Sequence, residues 1–252
     1  MNHRIRGAGP AVATLLLAVT LSGCSALAGI EAADDAKAPA QAAEPAGSAR
    51  DALIHLAVRA PAPMSGYDRE AGFGPAWSDD TSAPGSGNHC DTRNDVLRRD
   101  LHDLTFKGTS TCVVATGTLE DPYTGQQLRF VRGPQSARVQ IDHAVALGAS
   151  WRAGARQLSQ TQREALSNDP LNLLAVDGPS NASKSDSDAD TWLPPDRAFH
   201  CRYVARQIAV KTKYQLSVTA PERNAMSQVL ATCPDEPLPT ATTQGVALPN
   251  LP

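Results

Sequence analysis

The sequence predicts an α+β domain that contains disulfides, and three observations lead to that class. Strand-like and helical runs occupy separate blocks of the chain instead of alternating regularly. Residues 121–125 (DPYTG) have turn chemistry and separate two strand-like runs, which predicts an antiparallel hairpin. Four cysteines lie downstream of residue 24, an even number that is typical of two disulfides in an exported protein.

Composition and charge limit the number of domains and the kinds of partner that the chain can have. At 252 residues, 41% of them apolar and 4% aromatic, the chain can bury a mainly aliphatic core in one domain or two small ones. The formal charge of −3 does not by itself favour a nucleic-acid partner. Residues 24–80 carry 9 acidic against 4 basic side chains, whereas 88–233 carry 15 against 17. The acidity therefore belongs mostly to the front segment.

The N-terminus has the features of an export signal. A basic start precedes an apolar run, residues 11–21, that is too short to span a bilayer comfortably. The run ends in LSGC, which resembles a bacterial lipobox in which Cys24 would be lipidated and become the first mature residue. Cleavage after Ala28, at an A-x-A site, is the alternative. We expect a signal peptide over 1–23 and an exported protein, lipid-anchored at the outer face of the cell membrane or secreted.

The segments that flank the domain have the composition of flexible chain. Residues 24–64 are rich in Ala, Pro, Gly and acids and predict a flexible tether, although 51–60 could form a short helix. The tail, 234–252, is rich in Pro and Thr and is expected to be disordered. The predicted folded domain is 65–233. Its first part, 67–80, carries three aromatic side chains and is expected to pack on the rest.

Apolar periodicity and capping signals predict the elements of the domain. Apolar positions at 97, 101 and 104 have helical spacing and predict a helix over 91–104 with Thr92 as N-cap. Strands are predicted over 112–121, 127–133, 137–144 and 171–176. Further helices are predicted over 161–168, from residue 181, over 197–214 and from residue 219. Two of them open with capping boxes, Thr161-x-x-Glu164 and Thr219-x-x-Glu222.

The four downstream cysteines can form two disulfides in three ways. We favour Cys90–Cys112 and Cys201–Cys233, because each pair brackets one compact stretch of predicted structure. A zinc site is the competing interpretation, since a histidine directly precedes two of the cysteines. The chain has no CxxC or HxxxH spacing, however, and an oxidising compartment favours disulfides.

A group of polar residues surrounds the end of one predicted strand. Asp142 and His143 follow the β-branched positions of VQIDHAVAL, and Asn172 begins the next strand. Asn181 begins a short helix, and Lys184 lies about one helical turn further on. A lone Asp-His pair has little meaning, and the asparagines alone could be turn or cap residues. The combination in this order favours a catalytic site.

This order resembles the HNH, or His-Me finger, endonucleases, whose unit is two antiparallel strands and a helix around one divalent metal ion. It is most similar to a group of exported bacterial HNH-type domains, related to the C-terminal nuclease domain of some modification-dependent restriction enzymes. The resemblance covers roughly residues 65–233. The segments that carry it are CDTRNDVL (90–97), GTLEDPYTG (117–125), IDHAVALGASW (141–151), NDPLNLLAVDGPSNASKSD (168–186), WLPP (192–195) and CRYVARQIAVK (201–211).

The resemblance implies a ββα-metal core and a role for each residue of the group. Asp142 and Asn181 would hold the metal, and His143 would be the general base. Asn172 would orient the histidine or pin its loop, and Lys184 would contact phosphate. Arg93 is a further candidate for phosphate binding, because a guanidinium fits phosphate with two hydrogen bonds. The alternative for this arginine is a salt bridge to a neighbouring aspartate, Asp91 or Asp95.

The departures from the family pattern are few. Many HNH units end in histidine where Asn181 stands, but amide ligands also occur. A proline shortly after the Asp-His pair and zinc-binding CxxC pairs are absent, and the two disulfides could replace the zinc as a covalent brace.

Elementary chemistry agrees with such a site. Hydrolysis of a phosphodiester needs a base near neutral pKa and a hard cation that neutralises charge on the phosphate. Mg²⁺ suits a carboxylate and an amide oxygen, with Mn²⁺ or Ca²⁺ as alternatives. We therefore expect an exported, monomeric endonuclease that acts on DNA or RNA and touches the membrane only through a lipid anchor. The alternative is a non-catalytic cell-surface module that binds nucleic acid.

Overall fold

The computed structural model describes residues 47–248 and has a mixed α+β architecture, as the sequence predicts. Its strands are β1 (Leu101–Phe106), β2 (Val114–Glu120), β3 (Gln127–Val131), β4 (Val139–His143) and β5 (Leu173–Asp177). Its α-helices are α1 (Ala49–His55), α2 (Arg69–Phe73), α3 (Thr92–Asp100), α4 (Leu147–Arg152), α5 (Gln160–Asn168), α6 (Gly178–Lys184), α7 (His200–Lys213) and α8 (Ala220–Leu230).

The strands form two antiparallel sheets. One has the order β1-β2-β3, and residues 121–125 turn the chain between β2 and β3, which confirms the predicted hairpin. The other is the pair β4–β5, in continuous register from Val139 opposite Asp177 to His143 opposite Leu173. Helix α6 follows β5 directly and packs against both strands of the pair. The pair and α6 together form a ββα unit.

The β4–β5 pair is buried on both faces. One apolar cluster surrounds α7 and includes Leu174 and Val176 of β5. A second cluster lies under α3 and the three-stranded sheet and includes Ile141 of β4 and Ala175 of β5. Burial on both sides explains why the segment LNLLAV is apolar throughout instead of alternating with polar residues.

The predicted helix over 91–104 is wrong at both ends. Its N-cap is Asp91, whose carboxylate accepts from the Asn94 amide at 2.8 Å, while the Thr92 hydroxyl donates to Ser78 O. The helix ends at Asp100, and Leu101 begins β1. Pairing with β2 overrides the helical spacing of the apolar residues, because β1 gains its hydrogen bonds and buried neighbours there.

Two other helix starts differ from the prediction. Helix α5 opens with a capping box at Ser159 and Gln162, two residues before the predicted box. Helix α6 begins at Gly178, because the Asp177 carboxylate accepts from Ser180 N at 2.9 Å and caps the helix. A side chain at Gly178 would approach Ala137 O to 2.2 Å, so only glycine allows this contact. The capping box at Thr219, by contrast, is confirmed.

Both predicted disulfides are present. Cys90–Cys112 joins the segment before α3 to the segment before β2, and Cys201–Cys233 joins α7 to the residues after α8. The zinc interpretation is therefore wrong, since disulfide sulfurs do not offer the thiolates that zinc binds.

The described parts of the flanking segments pack on the domain. In the predicted tether, α1 buries Ala49 and Leu53. In the predicted disordered tail, Leu238 and Val246 are buried, and Leu238 N donates to Gly47 O at 2.9 Å. The signal peptide, the lipobox and most of the tether lie outside the described residues. Within 47–248, no helix is both long and apolar enough to cross a membrane.

Candidate functional site

Asp142 and His143 lie at the end of β4, and their side chains lie on opposite faces of the strand. The two residues are 5% and 6% exposed. The Asp142 face is covered by α6, whose Lys184 reaches the carboxylate. The His143 face is that of Ile141, which packs in the cluster under the three-stranded sheet. The strand end therefore holds an acid and an imidazole with separate surroundings.

Asp142 is held by two donors. Lys184 Nζ donates to Oδ1 at 3.0 Å, and the Tyr123 hydroxyl donates to Oδ2 at 2.5 Å. Burial raises the pKa of the Asp142 carboxyl, and the Lys184 charge and the Tyr123 hydrogen bond oppose that rise. Each carboxylate oxygen accepts one of these bonds and keeps a second acceptor site. The carboxylate is thus fixed in place without being saturated.

The position of Lys184 differs from the predicted phosphate contact. The side chain is fully buried, and its ammonium also donates to His143 O at 2.8 Å. A phosphate would have to displace these partners to reach it. Tyr123, the other donor, is a site residue that sequence reasoning missed, because DPYTG indicated only a turn.

His143 is fixed in one tautomer by a backbone carbonyl. Its Nε2 lies 2.9 Å from Ser167 O. A carbonyl can only accept, so Nε2 carries the proton and Nδ1 of the neutral ring has none. Burial lowers the pKa of His143 to about 3, and the positive charges of Arg69 and Lys184 lower it further against the effect of the Ser167 bond. The free protein therefore holds this imidazole neutral.

Trp77 stacks on the ring of His143. The ring centroids are 5.9 Å apart, and the planes are inclined by 13°. Trp77 has a backbone φ of 62°, which is unusual for a bulky residue, and Thr92 N donates to its carbonyl at 3.2 Å. The aromatic segment before α3 thus packs on the domain as predicted, and it contributes a site residue that the sequence did not single out.

Asn172 secures the loop that follows His143. Its Oδ1 accepts from Val145 N at 2.8 Å, and its Nδ2 donates to Val145 O at 3.3 Å. Its backbone carbonyl accepts from Ala144 N at 2.7 Å. These bonds fix the chain as it leaves β4, which is the geometry expected of a residue that pins the loop.

Asn181 faces Asp142 across a cavity. Its Nδ2 donates to Gln140 Oε1 at 2.8 Å, and its Oδ1 makes no hydrogen bond within the described part of the chain. We call this space, of about 490 Å³, the polar cavity; it is bordered by Arg69, Gln140, Asp142, His143, Asn181 and Asp186. An amide oxygen and a carboxylate on one cavity are the oxygen ligands that Mg²⁺ takes, so the donor set fits a hard divalent ion.

Arg93 lies at the other end of β4. Its Nη2 is 3.3 Å from Val139 O, and it makes no ion pair with Asp91 or Asp95 among the residues described. Burial lowers the pKa of the guanidinium, nearby Arg132 lowers it further, and Asp91 opposes them. Val139 and His143 are four positions apart on the strand, a distance of roughly 13 Å. In this structure the guanidinium of Arg93 therefore lies at the opposite end of β4 from His143.

Comparisons with known proteins identify the family of this chain. Residues 91–229 match the family described as GmrSD restriction endonucleases, C-terminal domain. The chain belongs to this family. An uncharacterized secreted protein of Arthroderma benhamiae is 35% identical over 190 residues, which cover 75% of this chain and 86% of that protein. No solved structure matches the chain significantly.

The GmrSD C-terminal domain match contains only part of the site. Asp142, His143, Asn172 and Asn181 lie inside it, as do both residues that hold Asp142. Trp77 and Arg69 lie upstream of residue 91, in the aromatic segment. This chain therefore adds residues from outside the matched region to the surroundings of the imidazole.

Proposed function

We propose that this protein is a metal-dependent endonuclease that hydrolyses phosphodiester bonds of DNA or RNA outside the cytoplasm. The observation that carries the proposal is that His143, with an unprotonated ring nitrogen, borders the same cavity as the Asp142 carboxylate and the Asn181 amide. Membership of the GmrSD C-terminal domain family supports a nuclease activity.

His143 would act as the general base. Its Nδ1 accepts a proton from the attacking water while Nε2 stays bonded to Ser167 O. The pKa of about 3 describes the site without substrate. A phosphodiester anion beside the buried ring favours the imidazolium and raises that pKa toward the range where a base is effective.

Asp142 and Asn181 would hold one divalent ion, Mg²⁺ by preference and Mn²⁺ or Ca²⁺ as alternatives. When bound, the ion would neutralise charge on the phosphate and the leaving oxygen. The protein fixes both ligands beforehand. Tyr123 and Lys184 hold the carboxylate of Asp142. Gln140 accepts from the amide nitrogen of Asn181, so the amide oxygen of Asn181 is turned away from Gln140. Such support of metal ligands strongly affects affinity in other sites.

The remaining candidates take positioning roles in this proposal. Lys184 orients Asp142 and the carbonyl of His143 instead of contacting phosphate. Asn172 holds the loop behind the imidazole. Arg93 would meet a phosphate further along the strand, because it lies at the far end of β4.

A plasmid-nicking assay tests the proposal. The purified protein, with both disulfides formed, is incubated with supercoiled plasmid and Mg²⁺, Mn²⁺ or Ca²⁺. His143→Ala should lower the nicking rate by about 10²–10⁴-fold, the usual contribution of a general base. EDTA should abolish nicking, and the same assay on a structured RNA defines the nucleic acid preferred.

His200→Ala is the matched control. His200 also meets a backbone carbonyl, since its Nε2 lies 2.8 Å from Pro194 O, but it does not border the polar cavity. This variant should keep the wild-type rate. Wild-type protein that cleaves neither the plasmid nor the RNA with any of the three ions would overturn the proposal and favour the non-catalytic binding module. Equal rates for wild type and His143→Ala would remove His143 from the mechanism.

Export is supported by the two disulfides and by the secreted relative. We also propose that Cys24 carries a lipid anchor. Cys24→Ser should move the protein from the membrane fraction to the soluble exported fraction. If both forms fractionate alike, the chain is not anchored through this cysteine. We propose that the protein acts as a monomer, which sedimentation analysis can check.

A further inference from the structure

His143 also borders a second cavity, of about 460 Å³, on the side of the aromatic segment. Its volume is within the range of small-molecule sites. We call it the apolar cavity, and its apolar and aromatic border consists of Phe73, Pro75, Ala76, Trp77, His143 and Leu147. Nothing in the hydrolytic chemistry proposed above uses this space. Two cavities of different character therefore meet at one imidazole.

The charges around the two cavities indicate what each can accept. The apolar cavity is also bordered by the acidic residues Asp68 and Glu70, whose negative charges would repel a phosphate. Arg69 borders both cavities and offers a cation at their junction. A neutral flat group thus fits the apolar cavity, while the phosphate attached to it fits beside Arg69 and the polar cavity.

We propose that the apolar cavity receives the base of the nucleotide next to the scissile phosphate, so that the enzyme acts on strands whose bases are unpaired. This inference rests on the proposed nuclease function. A base in a duplex is stacked between its neighbours and can enter a recess only if it is flipped out. An unpaired base enters without that cost and gains contact with an aromatic side chain.

Trp77 is the main contact surface for this base. Its indole is half-buried at the cavity border and is held by the stack on His143. The flanking backbone is fixed independently, because the Asp79 carboxylate accepts from the backbone amides of Gly87, Asn88 and His89. A rigid aromatic platform loses little conformational freedom when a base binds to it.

The test compares two single-stranded oligomers of equal length and charge. One is oligo(dT), and the other is an abasic oligomer of tetrahydrofuran phosphate units, which keeps the phosphodiester backbone and lacks bases. Wild-type protein with Mg²⁺ should show a KM about ten- to one-hundred-fold lower for oligo(dT), the range that base–aromatic stacking supports. In Trp77→Ala the ratio of the two KM values should fall toward one, and Trp77→Phe should restore part of it.

A second variant covers the case in which Trp77→Ala fails to fold. Ala76 is exposed at the cavity border, so Ala76→Phe should fill the cavity without disturbing the core and should raise the KM for oligo(dT) to that for the abasic oligomer. Annealing the complementary strand to a mixed-sequence oligonucleotide should lower kcat/KM at least tenfold relative to the single strand.

The outcomes separate this inference from the proposed function. Hydrolysis of both oligomers with equal KM would overturn the base site and leave the nuclease function standing. Equilibrium binding to wild-type protein in EDTA, which prevents metal-dependent hydrolysis, gives the second measurement. Tighter binding of oligo(dT) than of the abasic oligomer, without hydrolysis by wild type, would support the base site and overturn the nuclease function. Faster cleavage of duplex than of single strand would also overturn the inference.

Discussion

Two buried lysine–carboxylate pairs, Lys184–Asp142 and Lys211–Glu222, are nearly equivalent in charge and burial. Lys184 Nζ lies 3.0 Å from Asp142 Oδ1, with side chains 0% and 6% exposed. Lys211 Nζ lies 2.8 Å from Glu222 Oε1, with side chains 3% and 2% exposed. Burial raises the pKa of both carboxyl groups, and the lysine opposes that rise in each pair.

The surroundings of the two pairs are different. Lys211 also donates to Ser217 O, Glu222 closes the capping box of α8, and the recess beside them is only about 30 Å³. Lys184 also donates to His143 O, and Asp142 borders the polar cavity. The comparison teaches that a perturbed, buried ion pair does not by itself mark a catalytic site. The two pairs differ in the volume of the cavity beside them, about 490 Å³ at Asp142 and about 30 Å³ at Glu222.

The largest expected effect comes from removing each lysine. Lys184→Met and Lys211→Met each leave a buried carboxylate without its cation, which should lower the free energy of unfolding by about 3–5 kcal/mol. Urea denaturation measures this loss. Nicking, assayed where both variants are folded, should fall at least tenfold in Lys184→Met and stay near wild type in Lys211→Met. Equal losses of activity would contradict the distinction between the pairs.

The effect of Mg²⁺ on the stability of the two lysine variants is a second test of the difference between the pairs. A cation that binds Asp142 in the folded state stabilises that state by mass action. Saturating Mg²⁺ should therefore recover part of the stability lost in Lys184→Met, and none of that lost in Lys211→Met. The same recovery in both variants would indicate a general salt effect.

The next effect concerns the hydroxyl group in each site. Tyr123→Phe removes the donor to Asp142 Oδ2 while keeping the ring in the core, and it should cost about 1.5–3 kcal/mol of unfolding free energy. Thr219→Ala removes the cap of α8 near Glu222 and should cost about 1 kcal/mol. Only Tyr123→Phe should also slow nicking. A slower rate in Thr219→Ala would show that the assay reports stability instead of chemistry.

A stabilising effect is expected at a buried carboxylate that has no lysine partner among the described residues. Asp95 accepts from Asn88 Nδ2 at 3.0 Å, and burial raises its pKa to about 6. Between its unfolded value near 3.8 and about 6, the folded state binds more protons, so this group lowers stability as pH rises through that window. Asp95→Asn should stabilise the protein by roughly 1–2 kcal/mol above pH 7 and by nothing near pH 4. Denaturation of wild type and Asp95→Asn at both pH values measures this gain. The same difference in stability at both pH values would contradict the prediction.

Much of the fold could be predicted from local patterns. The β2–β3 hairpin, the capping box at Thr219 and both disulfides depend on turn chemistry, capping chemistry and cysteine spacing. The start of α5 could not be chosen, because Ser159-x-x-Gln162 and Thr161-x-x-Glu164 overlap and only the backbone decides between them. Strand β1 could not be predicted, because its apolar residues have helical spacing and only pairing with β2 makes this segment a strand.

The residues of the candidate site also fall into two groups, those that local patterns identify and those that only tertiary packing brings together. The Asp142–His143 pair and the Asn181-x-x-Lys184 turn could be identified from order and spacing, and their functional roles remain predictions. The burial of Lys184 could not be foreseen, because lysines are rarely fully buried. Tyr123 and Trp77 reach the site from 19 and 66 residues upstream of their partners, so only tertiary packing brings them there.

The packing of the C-terminal segment has a practical consequence. Arg206 donates to Gly245 O and to Leu173 O, and Arg99 donates to Val246 O and to Leu173 O. Leu173 is the cross-strand neighbour of His143. Ending an expression clone at residue 233 would remove the carbonyls of Gly245 and Val246. Arg206 and Arg99 would then each lose one acceptor, beside the strand that pairs with the His143 strand. Recombinant protein is best produced with residues 234–248 included.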